Sequence, residues 1–149
     1  MRARPHHLID IVTQIGGGGA FKPHPYGHAV HLVAEQVMAD PDLTVTFVLG
    51  ADDICEPCVH LLETAEGPRC DDVLSHLDPP ISKQEYNDDL DRRLMEFLGL
   101  SEGQALTFRD YLVLIRERFS GIEDICTHPG QDPTSRRNKL NRGLEAFGV

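Results

Sequence analysis

Residues 43–58 read LTVTFVLGADDICEPC. The first half alternates threonine with β-branched and apolar residues, the pattern of a strand. It is the one clear strand in the sequence, and it hands the chain directly to Asp52-Asp53-Ile54-Cys55 and then Cys58. The flanking sequence has helical signals. Upstream, Leu8, Ile11, Val12 and Ile15 recur at helical spacing and predict a short helix over about 7–15, stopped by Gly16–Gly19. Residues 22–43, KPHPYGHAVHLVAEQVMADPDL, predict a second helix with Pro25 in its first turn, Val30, Val33 and Val37 on one face, and Asp40-Pro41 as its end. Downstream, a short helix is expected around Asp72–Leu77. Ser82 and Glu85 then form a capping box, with Ile81 and Tyr86 placed as a staple. The helix they open buries Tyr86, Leu90, Leu94 and Phe97 and stops at Gly99. Thr107, with Asp110 three residues on, opens another that Gly121 closes; a last helix within 131–149 turns Leu140, Leu144 and Phe147 inward. The expected fold is mainly α, an α-rich α+β arrangement: one compact domain over residues 1–149 with about five helices and one or two short strands.

The chain has 149 residues, 40% hydrophobic and 26% charged, with no Trp, so its core must be largely aliphatic. The net charge is −10. Residues 135–149 set Arg136, Arg137, Lys139 and Arg142 against Glu145 alone, a local +3, so the remainder carries −13. Such a body repels nucleic acid and anionic membranes, and neither is an expected partner. The basic tail is expected to be a solvated helix face, with docking on an acidic partner or on the chain's own body as the alternative. The N-terminal stretch is interrupted by His6, His7, Asp10 and Gln14 and lacks the apolar centre of a signal peptide, so a cytoplasmic location is expected.

The four cysteines follow the pattern C-x2-C-x11-C-x55-C, as Cys55, Cys58, Cys70 and Cys126. A disulfide does not suit a reducing compartment. A thioredoxin-like pair needs Val59–Thr64 as a helix and parallel strands after it, and leaves Cys70 and Cys126 unused. A metal centre uses all four. Zinc commonly takes two short-spaced pairs, and the second pair is missing. An iron–sulfur cluster accepts one compact motif plus remote ligands, so a [4Fe–4S] cluster is favoured and zinc is the alternative. The matching DDIC and EDIC segments, ending at Cys55 and Cys126, suggest two loops pinned to one core by Ile54 and Ile125, with their acids in water.

Eight histidines surround this pattern. His60 and His128 lie near cysteines and could replace a thiolate. His28 and His31, with Glu35, share one side of the second helix, and Asp10 sits one turn from His6. His6, His7, His28 and His31 are candidates for a pocket beside the metal, as acid–base groups or partners of cluster sulfurs.

At Arg4-Pro5-His6-His7-Leu8 and Asp52-Asp53-Ile54-Cys55 the chain resembles a family of small uncharacterised bacterial and archaeal proteins, a domain of unknown function. Its members open with Arg-Pro-His-His-Leu-Leu and carry Asp-Asp-Ile-Cys. The resemblance implies a cysteine-rich, iron–sulfur-binding protein. Many relatives have a cysteine where Asp10 stands and a cysteine pair near the C-terminus, where this chain has Cys126 alone. The functions expected are electron transfer or cluster-dependent chemistry for a redox or enzyme partner. The alternatives are a structural zinc module that binds a partner protein, or a metal-dependent enzyme using the N-terminal histidines.

Overall fold

The computed structural model describes residues 1–128 and 130–149. The expected strand forms as Thr44–Phe47, between two strands with no periodic signal of their own. In chain order the short strands are β1 (Arg2–Ala3), β2 (Thr44–Phe47), β3 (Leu61–Thr64), β4 (Gly67–Cys70), β5 (Val73–Leu74), β6 (Ile81–Ser82) and β7 (Ala105–Thr107). β1 runs parallel to β2, with Arg2 opposite Thr46 and Ala3 opposite Phe47. β7 closes the other edge antiparallel. β3 and β4 form a hairpin that sets Leu61 opposite Cys70, and β5 pairs with β6.

The helices are α1 (Pro5–Gly16), α2 (Val30–Ala39), α3 (Lys83–Leu98), α4 (Phe108–Glu117), α5 (Ile122–Ile125) and α6 (Pro133–Ala146). Pro5 opens α1, where its missing N–H leaves no bond unmade. The caps expected at the starts of α3 and α4 and at the end of α3 are in place, whereas α4 ends at Glu117 and Gly121, expected to close it, precedes α5 instead. The Ser82 and Thr107 hydroxyls accept from Glu85 N and Asp110 N, Asp132 accepts from Ser135 N, and Gly99 ends α3 at φ +69°. Leu8, Val33, Val37, Leu90, Leu94, Leu112, Leu140 and Leu144 join Phe47 and Tyr111 in one continuous core. Among the described residues no helix is long and apolar enough to cross a membrane.

The architecture is the expected α-rich α+β domain, with six helices and seven short strands among the described residues. Two local expectations and one disfavoured alternative give way. Residues 73–74 pair with Ile81-Ser82 instead of forming a helix, because Pro79 and Pro80 bar helical continuation and fold the segment back. Residues 61–64 are strand, which removes the helix a thioredoxin-like dithiol needs. α2 starts at Val30, not at Pro25, because residues 26–29 bond to the cysteine turn.

The basic tail is only partly a solvated face: Arg142 stands exposed, but Arg136 is buried. It is α6, laid along α1, with Arg136 buried on Asp10 and Arg142 Nε donating to Gly16 O at 2.8 Å. Two glycines permit this contact. A Cβ on Gly143 would collide with the Val12 carbonyl, and one on Gly16 with the Lys139 carbonyl. Gly143→Ala is therefore expected to destabilise the protein by about 3 kcal/mol, the upper range for overpacking, as a lowered midpoint in urea denaturation.

Candidate metal centre

Parallel pairing of β1 with β2 lays Arg4-Pro5-His6-His7 beside Asp52-Asp53-Ile54-Cys55. Asp52 joins the two segments. Its Oδ2 accepts from Arg4 N at 2.8 Å and pairs with His7 Nδ1 at 2.8 Å. Its Oδ1 accepts from Ile54 N at 3.1 Å and Cys55 N at 3.0 Å. Neighbouring Asp53 accepts from Arg2 N at 2.8 Å. Asp52 is only 2% exposed, so the expectation that both acids of this motif stand in water fails for the first of them. Four donors hold a charge that burial alone would neutralise.

The adjacent His6 has a similar partner. Its Nδ1 lies 2.8 and 2.9 Å from the two oxygens of Asp91, which is fully buried. Asp91 also accepts from His6 N at 2.9 Å and Arg4 Nε at 2.6 Å, while Arg4 Nη2 reaches Asp88 at 2.6 Å. An ionised carboxylate only accepts, so Nδ1 carries the proton in both rings and Nε2 is left as the free ring nitrogen. This is the backing by which proteins orient imidazole ligands.

Both histidines line a cavity of about 370 Å³, with Cys55, Cys58, Cys70, His28 and His128 also on its wall. Asp10 and Arg136 reach it too, and Lys83 and His76 are among its other polar lining residues. His7, Asp52 and Cys55 each bring one donor atom within 4.8 Å of the others, a group compact enough to hold a metal ion, and His7 and Cys55 of this group line the cavity. Cys55 and Cys58 share one turn, with Cys58 N donating to Cys55 O at 2.9 Å. Cys70 arrives at the end of β4, its N–H held by Gln84 Oε1 at 2.8 Å.

Cys126 is placed differently. It is 3% exposed, at the end of α5, and does not line this cavity. Its Sγ accepts from Arg136 Nη2 at 3.2 Å, and its carbonyl accepts from Arg136 Nε at 2.9 Å. His60 lies outside the cavity wall, its Nδ1 2.8 Å from Asp71. His31 also lies outside it, with a buried Nδ1 that has no partner among the described residues. Of the two echoing isoleucines, Ile54 is buried, whereas Ile125 is only partly covered.

The charges follow from burial. Desolvation and then the Asp52 carboxylate push the Cys55 thiol up to about 12. Desolvation also raises Cys70, and raises Cys126 to about 11 against the pull of Arg136. Asp52 and Asp91 are lowered, because their imidazole and N–H partners outweigh burial. His6 is lowered, since burial outweighs Asp91; for His7 burial is again the largest single influence, but the charge and hydrogen bond of Asp52, with the charge of Asp91, together outweigh it and raise the ring. His28 is lowered to about 4 by burial and by His24, with its own backbone opposing.

Residues 24–129 match the family described as a protein of unknown function, DUF1284. The chain belongs to that family. The span shared with DUF1284 holds all four cysteines, and the Arg4–His7 motif lies ahead of it. No curated protein and no solved structure matches the chain. Sequence reasoning missed Arg4, Asp88, Asp91 and Arg136. The available signal was positional: Asp91 lies between Leu90 and Leu94 on the inward side of α3, where an acid needs a partner.

The His7–Asp52 pair makes stability depend on pH. Asp52 is depressed, so its contribution is present above the ordinary carboxylate pKa and is lost as pH falls toward its folded value. His7 is raised, so its contribution is full below the ordinary imidazole pKa and is lost as pH rises through the raised value. The pair therefore stabilises most between about pH 4 and pH 6.5. In metal-free protein, Asp52→Asn is expected to cost about 3 kcal/mol in that window, with a smaller loss at higher pH, measured by urea denaturation across pH.

Proposed function

We propose that the protein binds a transition metal in the cavity between α1, the Cys55–Cys58 turn and β4. One observation carries this reading: His7 and Cys55 bring donor atoms within 4.8 Å of each other beside the carboxylate of Asp52, and Cys58 and Cys70 line the same cavity. The donor set of imidazole and thiolates suits a borderline-soft ion such as zinc. Both Asp52 oxygens are already engaged, so it serves as the carboxylate behind His7 and not as a ligand. His7 through Nε2 and Cys55 are the first two ligands, and Cys58 and Cys70, which line the same cavity, are the thiols available to complete the set. A thiol pushed up to about 12 beside a carboxylate becomes a good thiolate once a cation lies against it, so the site's electrostatics favour a metal. They do not favour a free nucleophile, which needs a lowered thiol pKa. When bound, the metal would supply either a structural tie between the N-terminal segment and the cysteine turn or a Lewis acid in the cavity.

A [4Fe–4S] cluster is the second reading, favoured by the cavity's size and by three thiols on its wall. It would serve electron transfer or cluster chemistry for a partner protein. Protein purified without oxygen separates the two. Zinc near one equivalent in colourless protein supports the mononuclear site; brown protein with about four irons supports the cluster. Protein free of both under metal-replete growth overturns the proposal.

Cys55→Ser is expected to lose the metal. Asp52→Asn is expected to weaken binding about 10–100-fold, in competition with a chromophoric chelator. Cys126→Ser is expected to keep a full equivalent. Its loss of metal would instead place Cys126 in the ligand set with Cys55, Cys58 and Cys70.

A further inference from the structure

We propose that a second cavity, between the C-terminal half of α1 and α6, binds a phosphate group carried by a small molecule. Its volume is about 300 Å³, at the lower end for small-molecule sites, and its chemistry does not depend on the metal. Features that the metal site does not use meet on its wall: the glycine run, the basic tail and His128. Of the tail's four cations, Arg136 is spent on Asp10, Arg137 pairs with Glu123 and Arg142 donates to Gly16 O. Lys139 lines the cavity and has no ion-pair partner among the described residues. Among those residues Asp10 is the only acid on the wall, and Arg136 neutralises it, so the ammonium of Lys139 sets the sign of the cavity.

The uncharged groups beside Lys139 supply further donors. Thr13 lines the cavity and is 4% exposed, and its buried hydroxyl makes no hydrogen bond among the described residues, not even to the carbonyl one turn back that helical threonines commonly use. An orphaned hydroxyl costs free energy that a ligand oxygen would recover. Gly130 N donates to His128 Nδ1 at 3.1 Å, so the neutral ring carries its proton on Nε2 and offers an N–H. Gln131 Oε1 accepts from Arg136 Nη1 at 3.3 Å, which leaves the Gln131 amide nitrogen as its unused end. The glycines contribute room and not donors. The N–H groups of Gly17, Gly18 and Gly19 all bond back to carbonyls of residues 13–15. A Cβ on Gly17 would press on Lys139 Cδ at 3.3 Å, and one on Gly19 would meet Gln14 Cγ at 2.8 Å. An ammonium, a hydroxyl, an imidazole N–H and an amide form a donor set that matches the three oxygens of a phosphate group better than the two of a carboxylate. Asp10, Gln14, His128 and Arg136 line both this cavity and the larger one, so the two adjoin and leave space for the organic part of a phosphate ester.

The test titrates the full ¹⁵N-labelled chain with inorganic phosphate and with glycerol phosphate at constant ionic strength, with sodium chloride as the control. The expected result is saturable shifts at the Gly17 and Gly19 amides, His128 Nε2 and the Gln131 side-chain amide, absent with chloride. Lys139→Gln should weaken phosphate binding about 10-fold, the loss of one charge-assisted hydrogen bond. Thr13→Val should weaken it about 5-fold and leave the urea midpoint unchanged or raised, because it removes an unpaired hydroxyl. Tighter binding of glycerol phosphate supports an ester as the ligand, and tighter binding of inorganic phosphate supports the free ion. Shifts that do not saturate, that chloride reproduces, or that keep their full affinity in Lys139→Gln overturn the proposal. Saturable shifts confined to His7 and Cys55 also overturn it, and they leave the metal reading standing.

Discussion

A carboxylate that is 2% exposed and still ionised is the constraint on which the site depends. Asp52 can remain charged in the interior only while its four donors stay in place. Two of them, Arg4 N and His7 Nδ1, come from the N-terminal segment; the other two, Ile54 N and Cys55 N, come from its own turn. The same bonds therefore set the turn that presents Cys55 and the tautomer of His7. β1 is only two residues long, and its pairing with β2 is reinforced by this side chain at one end.

A second ionic layer stands behind the first. Arg4 spends its backbone N–H on Asp52 and its guanidinium on Asp91, Asp88 and the Gly50 carbonyl. Asp91 in turn holds His6. The cations near the cavity are each matched by an acid: Arg4 by Asp88 and Asp91, Lys83 by Asp72, and Arg136 by Asp10. With Asp52 added, the surroundings of the thiols are net negative. A thiolate is disfavoured there, and a cation is favoured. Such surroundings work against a bound anion and against an activated free thiol.

The sequence was most informative where a local rule governs. Ser82, Thr107 and Gly99 mark helix ends through hydrogen bonds and a backbone conformation that involve only near neighbours, and α3 and α4 start where those rules put them. The failures lie where partners are distant. β1 has too few residues to show a period, and its pairing with Thr46 and Phe47 depends on residues more than forty positions away. Pro25 is a sound helix-start signal, but residues 26–29 make their bonds to Ile54 and Val59 instead, and α2 begins after them. At the site, the cysteine spacing picked out Cys55, Cys58 and Cys70, which the structure places on one cavity wall. The carboxylates that organise the histidines had no comparable mark, because an acid destined for burial looks like any other acid in a chain with 24 of them.

Cys126 shows how sequence separation and chemistry part company. A remote fourth cysteine invites assignment to the same centre as the other three. In the structure α6 intervenes: Gly16 and Gly143 let it approach α1 closely, and that approach buries Arg136 between Asp10 and Cys126. The positive excess of the last fifteen residues is thus partly used inside the molecule, on Asp10 and on Glu123, which lies 3.3 Å from Arg137. A guanidinium donating to both the sulfur and the carbonyl of Cys126 satisfies that residue without a metal. Among the described residues the three thiols on the cavity wall accept no hydrogen bond from a guanidinium, and it is this difference in partners, more than their spacing, that separates them from Cys126.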